Sequence, residues 1–355
     1  MTAALLHPTP ENIARAAETL RRGELVGMPT ETVYGLAGNA LDAEAASRIF
    51  AAKERPTFDP LIVHVAPEVM GLASLEQLGL IDGTKISTTV RKQAESLVHA
   101  FWPGPLTLVL PRGPRVPDLV TSGLPRVAVR MPRHPVAQAL IRASGVPLAA
   151  PSANRFGRIS PTSAADVVSE LGDRIGLVLD GGPCQLGVES TVLLLDDEAP
   201  VLLRPGGLPR EDVERVLGRP VARATQRSEI AQLSPGLLAS HYAPRKPLHL
   251  LNGPVSERLE SATFSGVLPS TIGLLAQRGD ASELKARLER STGRRVHVDV
   301  LSARGELDEA ARRLFAALRA LDASDAEVLF AEPCPSEAGL GFAIVDRLRR
   351  ASIQS

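Results

Sequence analysis

Short apolar runs recurring between helical patterns constrain this chain more than any other feature. Residues 25–28, 61–65, 106–110, 127–131, 147–150, 177–179, 191–195 and 201–203 have the length and the apolar, often β-branched content of buried strands. Helical patterns lie among them. The first starts at Thr9 as N-cap, with Pro10 at the first helical position and Gly23 as its stop; others cover 43–53 and 91–101. The residues leading to Asn39 read as a polar loop. Helices interspersed with strands predict an α/β domain over 1–217, and strands separated only by turns predict a mixed, twisted sheet.

From 218 to 247 the pattern lapses into Arg, Gln, Ser and Pro, which reads as a linker. Beyond it, strands at 248–251, 271–276, 296–301 and 327–330 alternate with helices near 282–291, 308–323 and 338–351. This βαβα series predicts a small doubly wound, Rossmann-like domain over 248–355. GLGFA at 339–343 lacks the third glycine of a dinucleotide fingerprint and does not follow the domain's first strand, so that reading is rejected.

Composition narrows the function classes. The 355 residues carry a formal net charge of zero and only 3% aromatic residues, which argues against a broad basic face or a base-stacking platform. Direct tRNA binding is therefore unsupported. No apolar run approaches the ~20 residues that cross a bilayer, and no signal-peptide pattern opens the chain. Cys184 and Cys334 alone make neither a disulfide framework nor a zinc cage. A cytoplasmic protein without a membrane or a dedicated protein metal site is expected.

Polar side chains concentrate in three stretches beside the apolar runs: PTETVYGL at 29–36, KERPTFDPLIVHV at 53–65 and PSANRFGRISPT at 151–162. At strand ends they would occupy the place where open α/β sheets bind ligands. Walker, HExxH, GxSxG and CxxC motifs are absent. What remains is a set of cations and hydroxyls, Lys53, Arg55, Arg126, Arg130 and Arg204 with Thr32, Ser152, Ser160 and Ser190, which is the combination a polyphosphate requires. Only five of the 40 basic residues are lysines, so Lys53 is not explained by compositional habit. Taken singly, each has a plainer reading: Arg130 and Arg204 as strand-end caps, Ser152 and Asn154 as turn formers, His64 and Tyr34 as packed side chains.

Taken together, these motifs with FWPGPLTLVL (101–110), VAVRMPRHP (127–135), APSAN (150–154), GVEST (187–191) and LRPG (203–206) resemble the YrdC-type domain of threonylcarbamoyl-AMP synthases. SPGLLASHYAP (234–244) and GLGFAIVDRLRRA (339–351) resemble the two-domain form. The resemblance implies synthesis of threonylcarbamoyl-adenylate and pyrophosphate from L-threonine, bicarbonate and ATP, for threonylcarbamoyladenosine in tRNA. It implies Thr32, His64, Arg130, Ala150 and Ser190 as the threonine site. Arg55, Asp59, Arg126, Ser152, Ser160, Arg204 and Tyr242 are implied as ATP contacts, with Lys53 and Arg55 catalytic. Mg2+ would ride on the ATP phosphates, 218–247 would form the active-site lid, and the product would pass to a tRNA threonylcarbamoyl transferase. Two positions depart from the family: Asp59 stands where Asn is common, and Arg126 where a small hydroxyl residue is usual. Against this reading stands an RNA-binding module using the concave face of the first domain. A hydrogenase-maturation carbamoyl transferase would need zinc-finger cysteines that the chain lacks.

Overall fold

The computed structural model of the protein describes residues 2–69, 71–224, 242–253 and 269–352. They fall into two compact units. The first holds the chain up to Phe156, Ser160–Gln185 and the described residues from Glu189 to Ala224; the second holds Gly157–Ile159, Leu186–Val188 and the described residues from Tyr242 onward.

The first unit is built on an eleven-stranded mixed sheet. In chain order its strands are β1 (Ala4–Leu6), β2 (Val26–Met28), β3 (Gly35–Asn39), β4 (Ile62–His64), β5 (Leu106–Pro111) and β6 (Arg126–Arg130). Then come β7 (Leu148–Ala149), β8 (Leu177–Leu179), β9 (Thr191–Leu194), β10 (Val201–Arg204) and β11 (Ala222–Arg223). Their spatial order is β1-β8-β2-β3-β7-β4-β6-β5-β9-β10-β11, with β4 and β6 parallel and β5 antiparallel to β6.

Helix signals in the sequence act as expected. Thr9 Oγ1 accepts the Asn12 amide at 3.2 Å and Pro10 opens the helix Pro10–Arg21. Asp42 accepts the Glu44 amide at 2.8 Å and starts the helix Ala43–Lys53, which stops where Glu54 turns left-handed at φ 52°. The buried faces of Pro10–Arg21 and Pro135–Ser144 pack Ala16, Ala17, Leu20, Ala137, Leu140 and Ile141 against Val26, Met28, Leu148 and Leu177. The stretch leading to Asn39, expected as a loop, instead contains β3. GLAGN carries no β-branched residue, so its strand state rests on pairing with β2 and β7 rather than on propensity.

The second unit contains four parallel strands, β12 (Leu248–Leu250), β13 (Thr271–Ala276), β14 (Arg295–Val300) and β15 (Val328–Ala331), in the order β12-β15-β13-β14. Helices Ala281–Thr292, Leu307–Ala323 and Leu340–Ala351 alternate with them. Ile272, Leu274, Leu288, Val296 and Phe330 belong to its core. This is the doubly wound arrangement the alternating pattern predicts. No helix among the described residues is long and apolar enough to cross a membrane.

Candidate active site

Strand register assembles the site. His64 on β4 lies opposite Arg130 on β6, Arg130 opposite Thr107 on β5, and Thr107 opposite Val192 on β9, itself opposite Arg204 on β10. Lateral neighbours in a sheet share a face, so His64, Arg130 and Thr107 project together. Two residues back on the same face, Ile62, Ala128 and Val109 join an apolar cluster with Val192, Leu194 and Leu203. The row is thus the polar end of a buried apolar face.

Arg130 is 3% exposed, and its donors are already directed. Nη1 donates to Thr32 Oγ1 at 2.9 Å, Nε to the Gly104 carbonyl at 3.1 Å, and Nη2 lies 2.7 Å from Glu31 Oε1. Thr32 Oγ1 also lies 2.8 Å from Thr30 Oγ1. Beside Arg130, Thr107 Oγ1 is 2.8 Å from Ser190 Oγ, which accepts from Arg204 Nη2 at 3.1 Å. Arg204 also donates to the Ser190 carbonyl. Ser160 Oγ donates to Glu189 Oε1 at 2.5 Å, next to Ser190 in sequence.

A second group surrounds the loop at 150–156. Lys53 is 1% exposed and donates to the Ser152 carbonyl and, at 2.5 Å, to the Asn154 carbonyl. Its ammonium therefore pins that loop to the end of the helix Ala43–Lys53. Ser152 bridges Gly35, Ala150 donates its amide to the Ile62 carbonyl at 3.0 Å, and Ala153 donates to the Tyr34 carbonyl at 2.8 Å. Arg55 donates to the carbonyls of Asp59 and Pro60 and pairs with Asp59 Oδ2 at 2.9 Å. The departure at Asp59 thus supplies a counterion to Arg55.

Charge follows burial. Desolvation, assisted by the Arg130 charge, pushes His64 down to about 3, so its ring is neutral near pH 7. Burial also pulls Lys53 well below the usual lysine range, with the Arg55 charge adding to it. For Glu31, burial acts upward but the Arg130 charge and hydrogen bonding outweigh it, leaving the carboxyl below its usual range.

The first unit therefore brings Thr32, His64, Arg130 and Ser190 into one constellation with Arg204, and places Ser160 beside it through Glu189. Lys53, Arg55, Asp59, Ala150 and Ser152 surround the adjoining loop. Within the first unit, one expected ATP contact stands apart from them. Arg126 begins β6 four residues from Arg130, opposite Pro111, and its Nη2 pairs with Asp196 at 3.2 Å. Four strand residues span about 13 Å, which separates the two guanidinium groups to opposite ends of the strand. Tyr242 belongs to the second unit, where its ring is buried against Phe315 with centroids 5.5 Å apart and lies 5.0 Å from the Arg347 guanidinium carbon. Of the expected lid, residues 225–241 lie outside the described residues.

This arrangement occurs in a chain with extensive relatives. The Sua5_yciO_yrdC family profile, described as "Telomere recombination", matches residues 18–206. The profile described as "Threonylcarbamoyl-AMP synthase, C-terminal domain" matches residues 208–352. The threonylcarbamoyl-AMP synthase of Bacillus subtilis is 41% identical over 345 residues, covering 96% of this chain and 92% of that protein. That of Pyrococcus abyssi is 41% identical over 346 residues, covering 95% and 93%. The chain belongs to the Sua5/YciO/YrdC family. The crystal structure of P. abyssi Sua5 complexed with L-threonine superposes with a TM-score of 0.82 at 39% identity, covering 99% of this chain and 97% of that one.

Within this family member, sequence reasoning passed over Glu31, Glu189 and Thr107. The two glutamates lie inside the motifs TET and GVEST; the available signal was an acidic residue beside a run read as a buried strand, where burial would demand a partner. Thr107 gave no signal, because a threonine on an apolar strand is ordinary.

Proposed function

We propose that this chain is a threonylcarbamoyl-AMP synthase, with the threonine site on the row His64, Arg130, Thr107 and Ser190. The observation that carries the reading is Arg130: a buried guanidinium, held by Thr32 and Gly104, beside a pair of hydroxyls. A planar fork suits an amino-acid carboxylate, while Thr32, Ser190 and neutral His64 offer hydrogen bonds to its polar atoms. The full-length relatives named for this activity support it.

As a nucleotidyltransferase, the chain would join three substrates. Carboxylation of the threonine nitrogen by bicarbonate releases water and gives a carbamate. A carbamate oxygen then attacks the α-phosphorus of ATP as the bond to pyrophosphate breaks. Positioning and charge neutralisation dominate such a step. We assign Arg55 and Arg204 to the phosphates, Ser152 and Ser160 to hydrogen bonds with the nucleotide, and Ala150 to a backbone contact. Lys53 acts as a positioning residue that fixes the Ser152 loop rather than as a catalytic one. We assign Arg126 to its pair with Asp196 rather than to ATP.

Magnesium would accompany the ATP phosphates. The buried carboxylates near the site face side chains of the chain itself, Glu31 facing Arg130, Asp59 facing Arg55 and Glu189 facing Ser160. No three His, Cys, Asp or Glu side chains gather into a metal-binding group among the described residues. This donor set suits an ion held by phosphate oxygens and water. We assign 218–247 to a lid that excludes water from the carbamate and the mixed anhydride, and the enzyme to the cytoplasm, where its product passes to a tRNA threonylcarbamoyl transferase.

The test is pyrophosphate release from ATP and magnesium. Release requiring both L-threonine and bicarbonate, and lost in Arg55→Ala, is expected. Release indifferent to threonine overturns the reading, and a steeply salt-dependent RNA affinity without turnover favours the RNA-binding alternative.

A further inference from the structure

Glu31 has no assigned task in the reaction, yet it is the most deeply buried carboxylate near Arg130. It is 1% exposed, on the segment between β2 and β3, with Oε1 2.7 Å from Arg130 Nη2. The contact is poorly aligned as a hydrogen bond and leaves Arg130 Nη2 without a well-directed acceptor, while the backbone amides of Glu31 and Arg133 help to hold the Glu31 carboxylate. Such a pair within a protein needs a further polar group to complete it. Arg130 cannot swing away to find one, because Nη1 and Nε are held by Thr32 and Gly104.

The other ionisable groups around the pair are His64 on β4, His134 at the start of the helix Pro135–Ser144, and Cys184. Burial lowers both imidazoles, His64 to about 3, and raises the Cys184 thiol, so all three are neutral near pH 7. Arg133 is exposed, and Asp166 is occupied at its own helix start, accepting the amides of Thr162 and Ser163. The buried charged side chains at the amino-acid end are therefore Arg130 and Glu31, with Arg204 and Glu189 beyond Ser190, two of each sign.

We infer that Glu31 is a specificity-determining residue that balances Arg130 and makes the pocket select a zwitterion over an anion of the same shape. A carboxylate received by Arg130 brings an α-ammonium one carbon further on, within Coulomb range of Glu31. A hydroxy acid with a hydroxyl in place of that ammonium retains the Arg130 contact but carries an uncompensated negative charge toward Glu31. The inference rests on the threonine site proposed above and deepens it, because Glu31 discriminates by net charge while Arg130 receives the carboxylate.

The experiment is calorimetric binding of L-threonine and of its hydroxy-acid analogue at pH 7 to the wild-type chain, Glu31→Gln and Glu31→Asp, with ATP affinity measured in each. The wild type is expected to prefer threonine by about tenfold or more, an electrostatic preference of at least ~1.4 kcal/mol. Glu31→Gln should shift the ratio toward the analogue by about tenfold, while Glu31→Asp holds it within about threefold and ATP affinity stays within about twofold in both. An unchanged ratio in Glu31→Gln with ATP binding intact overturns the inference, as does an equal shift in Glu31→Asp. The wild-type comparison needs no variant: preference for the anionic analogue overturns the inference even if Glu31→Gln does not fold. A wild-type chain that binds neither amino acid nor analogue overturns the threonine site itself, whereas threonine-dependent pyrophosphate release with an unshifted ratio overturns the role of Glu31 alone.

Discussion

His64 illustrates how environment decides what a side chain can do. Its ring is 2% exposed and Nδ1 lies 3.2 Å from the Ile62 carbonyl, in a strand whose neighbours are apolar or hold Arg130. With its folded pKa depressed to about 3, it is a neutral hydrogen-bonding group at working pH. The linkage sign follows: between about pH 6.5 and 3 the unfolded chain binds a proton that the folded chain refuses. Stability from this residue is present above 6.5 and falls with pH at about 1.4 kcal/mol per unit. Replacing it by Gln should flatten the dependence of denaturant-unfolding free energy on pH between 4 and 6 relative to the wild type. Parallel curves for the two proteins would show that His64 does not carry this linkage.

At the scale of elements, the site depends on how closely two loops approach. Gly206, at the end of LRPG, lies against the backbone of GVEST: a Cβ there would stand 2.3 Å from the Glu189 carbonyl oxygen and 2.5 Å from the Thr191 nitrogen. Gly207 completes the contact by donating to the Glu189 carbonyl at 2.8 Å. Those neighbours are backbone atoms that cannot rotate aside. Gly206→Ala should therefore cost about 1–3 kcal/mol in denaturant unfolding and also reduce turnover, because the displaced segment carries Ser190 and the Ser160 partner Glu189. Full activity with wild-type stability would show that the segment yields freely.

Over the whole molecule, the second unit includes two short stretches from within the sequence span of the first, Gly157–Ile159 and Leu186–Val188. Gly157 and Gly187 both have positive φ, 76° and 73°, but only Gly187 is crowded: a Cβ there would stand 2.4 Å from the Arg312 carbonyl oxygen, whereas Gly157 has nothing within 4 Å. Both alanine variants incur the left-handed backbone cost of about 1 kcal/mol, so the difference between them isolates the clash. Gly187→Ala should have the lower thermal midpoint; equal midpoints would mean that the helix Leu307–Ala323 shifts without cost.

How much of this was legible follows from where each signal originates. Caps, helical periodicity and apolar strand runs are local, so the helices Pro10–Arg21 and Ala43–Lys53, the mixed sheet and the parallel second unit could be read from the chain, as could the family. Strand β3 could not, because GLAGN has no strand propensity and exists through its pairing partners. The separation of Arg126 from the polar row is likewise a matter of register: the sequence offers two arginines on one strand, and only the pairing of β5 with β6 shows which end joins Thr107. Local composition by itself determined which elements form and which residue types are available. Tertiary structure decided which charges meet, pairing Glu31 with Arg130 and Asp59 with Arg55, because contacts between distant residues depend on strand order and packing that no short window of sequence contains.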